Sequence, residues 1–147
     1  MHRIALVLVA LTTLIVFPSQ SRAQILSHPE GCPRRAFCGC GASVHLFGHP
    51  VRSLFLSSNW LKFPRAAPSQ NMVAVRRGHV FVLKQQIEGN TWLVFDANSG
   101  GRATRMHNRS IAGYTIVNPG GGSFSSAMAS MPEGEGVDAP RTKRRRR

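Results

Sequence analysis

Residues 72–98 read MVAVRRGHVFVLKQQIEGNTWLVFDAN, and this stretch decides the fold. Two runs rich in β-forming residues lie on either side of the turn-prone pair Gly89–Asn90, and a shorter run, MVAV, precedes them. Runs of this length and composition, separated by tight turns, are typical of strands that pair with their neighbours in the chain. The stretch therefore predicts an antiparallel meander.

Three polar residues lie at the ends of these strands. His79 opens the second run, and Asp96 and Asn98 close the third. In an antiparallel pair, the start of one strand lies beside the end of the next, so side chains there can meet. We therefore expect the imidazole of His79 to lie next to a carboxylate or a side-chain amide.

Upstream of the meander, Cys38 and Cys40 lie in the segment FCGCGAS, just before a predicted helix at residues 42–47. Gly48 follows this helix and suits its C-cap. A helix N-terminus presents free backbone N–H groups and a partial positive charge, which lower the pKa of a nearby thiol. A thiolate, a histidine and a polar group that orients it form a cysteine nucleophile system. This is the leading hypothesis for the site.

The number of cysteines leaves two other interpretations open. An odd count of cysteines leaves one thiol unpaired, or paired with another molecule, and Cys32 could bridge either Cys38 or Cys40. Alternatively, the two later cysteines together with His45 and His49 could supply four ligands to zinc. That spacing matches no common zinc finger, and exported proteins favour disulfides.

The remaining segments complete the predicted fold. Residues 53–63, SLFLSSNWLKF, predict a second helix that ends before Pro64, with its core side chains at Leu54, Leu56, Trp60 and Leu61. The predicted fold class is α+β, with one or two N-terminal helices packed on an antiparallel sheet of four to six strands built from residues 72–119. No partner is predicted for His107, and no sequence motif indicates a cofactor.

The two ends of the chain lie outside this domain. Met1–Ala23 has a short charged start, the apolar run IALVLVALTTLIVF and a small-residue end, as in a secretory signal peptide cleaved after Ala23. A membrane anchor is the alternative, but the run is short of the ~20 residues that span a bilayer. Residues 120–147 are rich in Gly, Ser and Pro, end in a run of cations and predict a disordered tail. The expected location is secreted or periplasmic, with one domain at residues 24–119.

The charge of the chain indicates an anionic partner. The net charge is +13, and residues 24–119 alone carry eleven Arg or Lys against three Asp or Glu, a net +8. A basic exported domain is attracted to envelope polymers, anionic lipid headgroups or other polyanions, so peripheral association with a membrane fits its charge. Aromatic residues do not alternate with the cations, which argues against a specific nucleic-acid surface. No oligomeric state is predicted.

Several short motifs follow one another along the chain, namely a cysteine, Asn59–Trp60, Ala67–Pro68, the strand 72–75, Gly78–His79–Val80 and Asp96–Ala97–Asn98. This series resembles the CHAP family of papain-like cysteine amidases and peptidases. The segment Arg109–Tyr114 also looks like the closing strand of small CHAP-like proteins. The resemblance covers Phe37–Val117, nearly the whole predicted domain.

This resemblance implies roles for individual residues. Phe37–Cys38–Gly39 resembles the family's nucleophile motif, with Cys40 as the second candidate, and the catalytic histidine falls on His79. The orienting acid falls on Asp96 and the orienting amide on Asn98. The implied activity is a secreted cysteine amidase or endopeptidase that cuts cell-wall peptide. The alternatives are an inactive papain-like scaffold that binds envelope polyanions and a periplasmic Cys/His metal-binding protein.

Overall fold

A computed structural model describes residues 23–121 of the chain and has an α+β architecture. Its regular elements are β1 (Gln24–Leu26), α1 (Cys38–Phe47), β2 (Val73–Arg76), β3 (His79–Glu88), β4 (Thr91–Ser99), β5 (Ala103–Ser110) and β6 (Thr115–Val117). Two short 3₁₀ segments, Arg52–Leu54 and Ser57–Lys62, lie between α1 and β2, and a tight turn at Gly100–Arg102 joins β4 to β5. The predicted class, helix packed on antiparallel sheet, is confirmed.

The six strands form one antiparallel sheet in the order β1-β5-β4-β3-β2-β6. The predicted meander corresponds to β2, β3 and β4, and the turn between β3 and β4 consists of Gly89 and Asn90, as predicted. Strand β1 was not predicted, since the sheet was expected to be built from residues 72–119. Its three residues are too few to show the alternation of a strand. The closing strand was predicted to begin at Arg109, which is wrong: Arg109 belongs to β5, and the last strand is β6.

The two faces of the sheet are covered differently. One face packs under α1 through alternating side chains of the central strands, namely Val73, Val75, Val80, Val82, Phe95 and Ala97. The opposite face holds a second cluster of buried side chains, namely Ala74, Phe81, Leu83, Trp92, Val94, Ile111 and Ile116. Both faces of β2, of the first half of β3 and of most of β4 are therefore buried, which explains the nearly continuous apolar runs there.

Helix α1 begins four residues earlier than predicted, at Cys38, and ends as predicted at Gly48, which has the left-handed φ of 80°. Gly39 and Gly41 disfavour a helix on intrinsic propensity. Their positions in the fold explain them, because α1 contacts its neighbours closely there. A Cβ at Gly41 would lie 2.3 Å from the Cβ of Ala97 in β4, and one at Gly39 would lie 2.2 Å from the carbonyl oxygen of Leu54.

The second predicted helix is instead two short 3₁₀ segments. Leu54 and Trp60 are buried as predicted, but Leu56 and Leu61 are exposed, so their assignment to the core was wrong. Leu54 lies in the first segment and Trp60 in the second, and the indole N–H of Trp60 donates to the carbonyl oxygen of Leu54 at 2.8 Å, whereas Leu56 lies between the two segments in an extended conformation.

No helix within residues 23–121 is long and apolar enough to cross a membrane. The predicted signal peptide, apart from Ala23, and nearly all of the predicted tail lie outside the residues that the structure describes.

Candidate active site

A disulfide between Cys32 and Cys40 leaves Cys38 as the free thiol of the three cysteines. The pairing decides between the alternatives that the sequence left open. The second candidate for the nucleophile, Cys40, is wrong because its sulfur is bonded to Cys32. The proposed zinc set of two cysteines with His45 and His49 loses a ligand for the same reason. Among residues 23–121, no group of three or more His, Cys, Asp or Glu side chains is arranged to hold a metal.

Cys38 is the first residue of α1, where the helix meets the turn between β2 and β3. Its side chain is buried, with 4% of its surface exposed, and Sγ lies 3.9 Å from the carbonyl oxygen of Gly78. The N–H of Gly78 in turn donates to Oγ of Ser57 at 3.1 Å. The 3₁₀ segment, the β-turn and the helix start are thus joined around the thiol.

His79 is the first residue of β3 and lies between Cys38 and Asp96. Its Nε2 is 2.8 Å from Oδ1 of Asp96, whose side chain is fully buried in β4. Because the carboxylate only accepts hydrogen bonds, Nε2 carries the proton of that bond. The remaining ring nitrogen, Nδ1, is then the one available to exchange a proton with the thiol of Cys38, which is close enough to His79 for each group to shift the pKa of the other.

The carboxylate of Asp96 has two further partners, both on β5. Nε2 of His107 lies 3.2 Å from Oδ2, and a guanidinium nitrogen of Arg109 forms an ion pair with the same oxygen. Arg109 also donates to the hydroxyl of Tyr114 at 3.1 Å and stacks over Phe81. Asp96 is thus held by three basic side chains.

His107 and Arg109 were missed by the sequence analysis. They lie two residues apart on β5, opposite Val94 and Trp92 of β4, so their side chains share the face that Asp96 occupies. The sequence carries a signal for this, since polar residues alternate at positions 105, 107 and 109. Recognising it requires the register between β4 and β5.

Asn98 does not take the role of an orienting amide in this structure. Within the described chain its side chain makes no hydrogen bond to His79, whose partner is Asp96. The register between β4 and β5 shifts after Asp96, and Asn98 has a left-handed φ of 60°. A bulge of this kind re-aims side chains and ends the regular alternation. In this structure Asp96 orients His79, and the role of Asn98 stays a prediction.

The charges at the site favour an ion pair. Burial raises the pKa of the Cys38 thiol, but the hydrogen bond with His79 and backbone hydrogen bonds from Val80 and Gly39 lower it by more. Burial lowers the pKa of His79, whereas the bonds to Asp96 and Cys38 outweigh burial and raise it to about 9. Burial likewise raises the pKa of Asp96, and the neighbouring cations bring it below its ordinary value. At neutral pH these shifts favour a thiolate beside an imidazolium.

This arrangement has the parts needed for nucleophilic attack on a carbonyl group. The first intrahelical bond of α1 runs from the N–H of Gly41 to the carbonyl of Phe37, at 2.8 Å. The N–H groups before it, starting with Cys38, are at the helix end where backbone donors lack intrahelical acceptors. Such donors stabilise an oxyanion that forms on a carbonyl attacked by the adjacent sulfur.

Comparison with known proteins gives no further identification. No family model matches the chain, and neither a curated protein nor a solved structure does.

Proposed function

We propose that the chain is a CHAP-like, papain-like cysteine amidase or endopeptidase that is exported and cuts an amide bond in cell-wall peptide. The observation that carries the proposal is the continuous series Cys38, His79 and Asp96, in which the only free thiol lies at a helix start and the histidine is held by a buried carboxylate. A thiol, a base and an orienting group in this order are the signature of a covalent acyl-transfer mechanism.

In the proposed first step, the thiolate of Cys38 adds to the carbonyl carbon of the scissile amide, and the electron pair of the C=O bond moves onto oxygen. The backbone N–H of Cys38 at the start of α1 stabilises this oxyanion. When the tetrahedral intermediate collapses, the C–N bond breaks, and the leaving nitrogen takes the Nδ1 proton of His79. The products are a free amine and a thioester on Cys38.

In the second step, water attacks the thioester while Nδ1 of His79 accepts one of its protons. The C–S bond then breaks, the carboxylic acid leaves, and the Cys38 thiolate and the protonated His79 are restored. Asp96 keeps the imidazole oriented through Nε2 in both steps and stabilises its positive charge.

A polyanion-binding scaffold without turnover is the second candidate, and the excess of cations in the domain favours it. It does not account for the buried carboxylate. Burying a charged group costs free energy unless it is paired, and surface binding gains nothing from Asp96 holding a histidine against a thiol.

Alkylation of the thiol tests the nucleophile. The mature protein, kept oxidised so that Cys32 and Cys40 remain bridged, is treated with iodoacetamide over a range of pH, and Cys38→Ser serves as the blank. We expect the rate to stay high well below pH ~8.5, where an ordinary thiol is mostly protonated. Asp96→Asn should move the pH dependence toward that of an ordinary thiol. If the alkylation rate of the wild-type protein depends on pH as that of an ordinary thiol does, Cys38 is not an activated nucleophile and the proposal is wrong.

Turnover is tested separately on purified bacterial cell walls. Wild-type protein should release new amino groups and new carboxyl groups in equal amounts, whereas Cys38→Ser and His79→Gln should release neither. If the thiol is reactive but no amide is cut, the second candidate is favoured.

A further inference from the structure

A cleft of about 560 Å³ opens between two loops and is lined by His28, Arg34, Gly101 and Arg102. We refer to it as the cationic cleft. Its first wall, with His28 and Arg34, belongs to the connection between β1 and α1. Its second wall, with Gly101 and Arg102, is the turn between β4 and β5.

Both walls are attached to elements that carry the candidate active site. The ring of His28 packs edge-on against the ring of Phe37, with their centroids 4.4 Å apart, and Phe37 directly precedes Cys38. The second wall follows the end of β4, the strand that supplies Asp96. The cleft therefore lies at the end of the sheet where β3 begins with His79.

The walls are held in place by the surrounding structure. The disulfide between Cys32 and Cys40 ties the first wall to α1, and Nε2 of His28 lies within hydrogen-bonding distance, 3.1 Å, of the carbonyl oxygen of Cys32. The second wall is a short turn in which Gly101 and Arg102 have left-handed φ values, 74° and 59°, and a guanidinium nitrogen of Arg105 donates to the carbonyl oxygen of the preceding Gly100. A cleft with fixed walls binds a ligand at a lower entropic cost than a flexible loop does.

The charges of the cleft are unbalanced. Arg34 and Arg102 are exposed, and neither forms an ion pair with any residue of the described chain. Arg105 adds a third guanidinium, which donates to the carbonyl of Gly100 in the second wall. Glu30 is the one carboxylate in the loop of the first wall, and it does not line the cleft. Cations gathered in a concave surface attract anions from solution.

We propose that the cationic cleft binds a free carboxylate of the substrate, so that the enzyme selects peptides with a carboxylate near the amide it cuts. The inference rests on the proposed function. A guanidinium presents two parallel N–H donors that match the two oxygens of a carboxylate, and Arg34 and Arg102 supply one such group from each wall. A neutral peptide of the same length offers only carbonyl oxygens, which form weaker hydrogen bonds with a guanidinium than a carboxylate does.

Binding to an inactive variant tests the proposal. Cys38→Ala is titrated with a dansyl-labelled tripeptide of alanine as its free acid and, separately, as its C-terminal amide, and anisotropy gives the two dissociation constants. We expect the acid to bind about tenfold more tightly than the amide, since hydrogen bonds between charged groups are the strong ones. The difference should shrink as salt is added.

Two double variants, both made in Cys38→Ala, distinguish an effect of the cleft on binding from an effect of the protein's net charge. Arg34→Gln with Arg102→Gln removes both guanidinium groups of the cleft, and Arg52→Gln with Arg65→Gln removes two exposed cations elsewhere. The first pair should abolish the preference for the acid, and the second should leave it. Equal binding of acid and amide to the parent variant, or equal effects of the two pairs, would overturn the proposal. Equally tight binding of the tripeptide amide carrying a phosphoserine would overturn the carboxylate assignment in favour of a phosphate site.

These results are independent of the thiol chemistry. The titrations use a variant that cannot turn over, so failure of the cleft leaves the alkylation result for Cys38 unaffected. Conversely, an unreactive Cys38 would refute the proposed enzymatic activity. A preference for the acid would still show that the cleft binds a carboxylate.

Discussion

At the scale of single residues, the carboxylate of Asp96 is the group on which the site depends. It is fully buried and contacts His79, His107 and Arg109. A buried carboxylate is costly unless it is paired and hydrogen bonded, so these side chains stabilise its charge. One oxygen holds His79, and the other is shared by the two residues of β5. His107 and Arg109 therefore stabilise the position of His79 indirectly, through the carboxylate of Asp96.

We predict that Arg109→Leu weakens the hold of Asp96 on His79. Without the guanidinium, the pKa of Asp96 rises, and its carboxylate is held less firmly opposite Nε2 of His79. The pKa of His79 therefore falls. The turnover number should drop by about tenfold, with the alkaline limit of activity moved to lower pH, and Arg109→Lys should recover part of both. Arg76→Leu is the matched control, because Arg76 also stacks on Tyr114, and no contact of it with Asp96 is found. An unchanged pH profile in Arg109→Leu would contradict this role.

The pKa shifts also predict how activity depends on pH. The lowered pKa of Cys38 keeps the thiolate present below the ordinary thiol range, and the raised pKa of His79, about 9, keeps the imidazolium present up to that pH. Turnover needs both charged forms, so kcat/KM should be bell-shaped and should fall above pH 9. Alkylation needs only the thiolate and should not fall there. Parallel loss of both rates above pH 9 would instead indicate unfolding.

The sequence predicted those residues of the site that sit at strand and helix ends. Cys38 begins α1, His79 begins β3 and Asp96 lies in the last half of β4, so the order of these elements along the chain is enough to suggest that the three side chains are close. His107 and Arg109 could not be found in this way, because their contact with Asp96 depends on which residues of β4 and β5 face each other. That Asn98 makes no hydrogen bond to His79 has a related reason, since the register between β4 and β5 shifts after Asp96.

At the scale of elements, the packing of α1 on the sheet determines where the thiol lies. The helix contacts β3 and β4, and its approach to β4 is close because Gly41 has no side chain opposite Ala97. A larger residue at either position must move the helix or the strand. The position of Cys38 relative to β3 would change with it.

We predict a compensating pair at this contact. Gly41→Ala places a Cβ 2.3 Å from that of Ala97 and should destabilise the protein by about 1–3 kcal/mol, the usual cost of overpacking. Ala97→Gly removes the opposing Cβ at a cost of about 1 kcal/mol on its own. The double variant should be more stable than the sum of the two effects predicts, as measured by urea unfolding. Gly100→Ala is the control, since nothing lies within 4 Å of that Cβ. Strictly additive effects would show that the contact is not tight.

Elements with a clear period were predicted, and elements whose shape depends on tertiary contacts were not. The meander follows from alternating and continuous β-forming runs with a Gly–Asn turn. The start of α1 was missed because Gly39 and Gly41 oppose helix formation locally and are required only by close packing. Residues 53–63 were predicted as one helix, whereas the chain there forms two separate 3₁₀ segments.

At the scale of the whole molecule, the excess of positive charge is divided between the folded domain and the C-terminal end. The last five residues, Lys143–Arg147, are all cations, and they follow a segment whose composition cannot form a core. They lie outside the described residues. We hypothesise that they tether the domain to an anionic surface by electrostatics alone, through a linker long enough to leave the site free.

Removing Arg141–Arg147 tests the tether. Each cation near an anionic membrane contributes about 1 kcal/mol, so the truncated protein should sediment less with cell envelopes at low salt. At high salt the two proteins should behave alike, because screening weakens the attraction. A chain with serine in place of each of these cations controls for length. If truncated and full-length proteins bind alike at low salt, the Arg residues of the domain carry the attachment.

The order of strands in the sheet has a consequence for anything joined to this domain. β1 and β6, the first and last strands, are the two edges, separated by five interstrand steps of roughly 4.8 Å, or about 24 Å in all. A fusion partner at residue 23 and another after residue 121 would therefore leave from opposite sides of the molecule. Joining the two ends to make a circular permutant would need a linker that crosses the whole width of the sheet, and a short peptide could not do so without unpairing an edge strand.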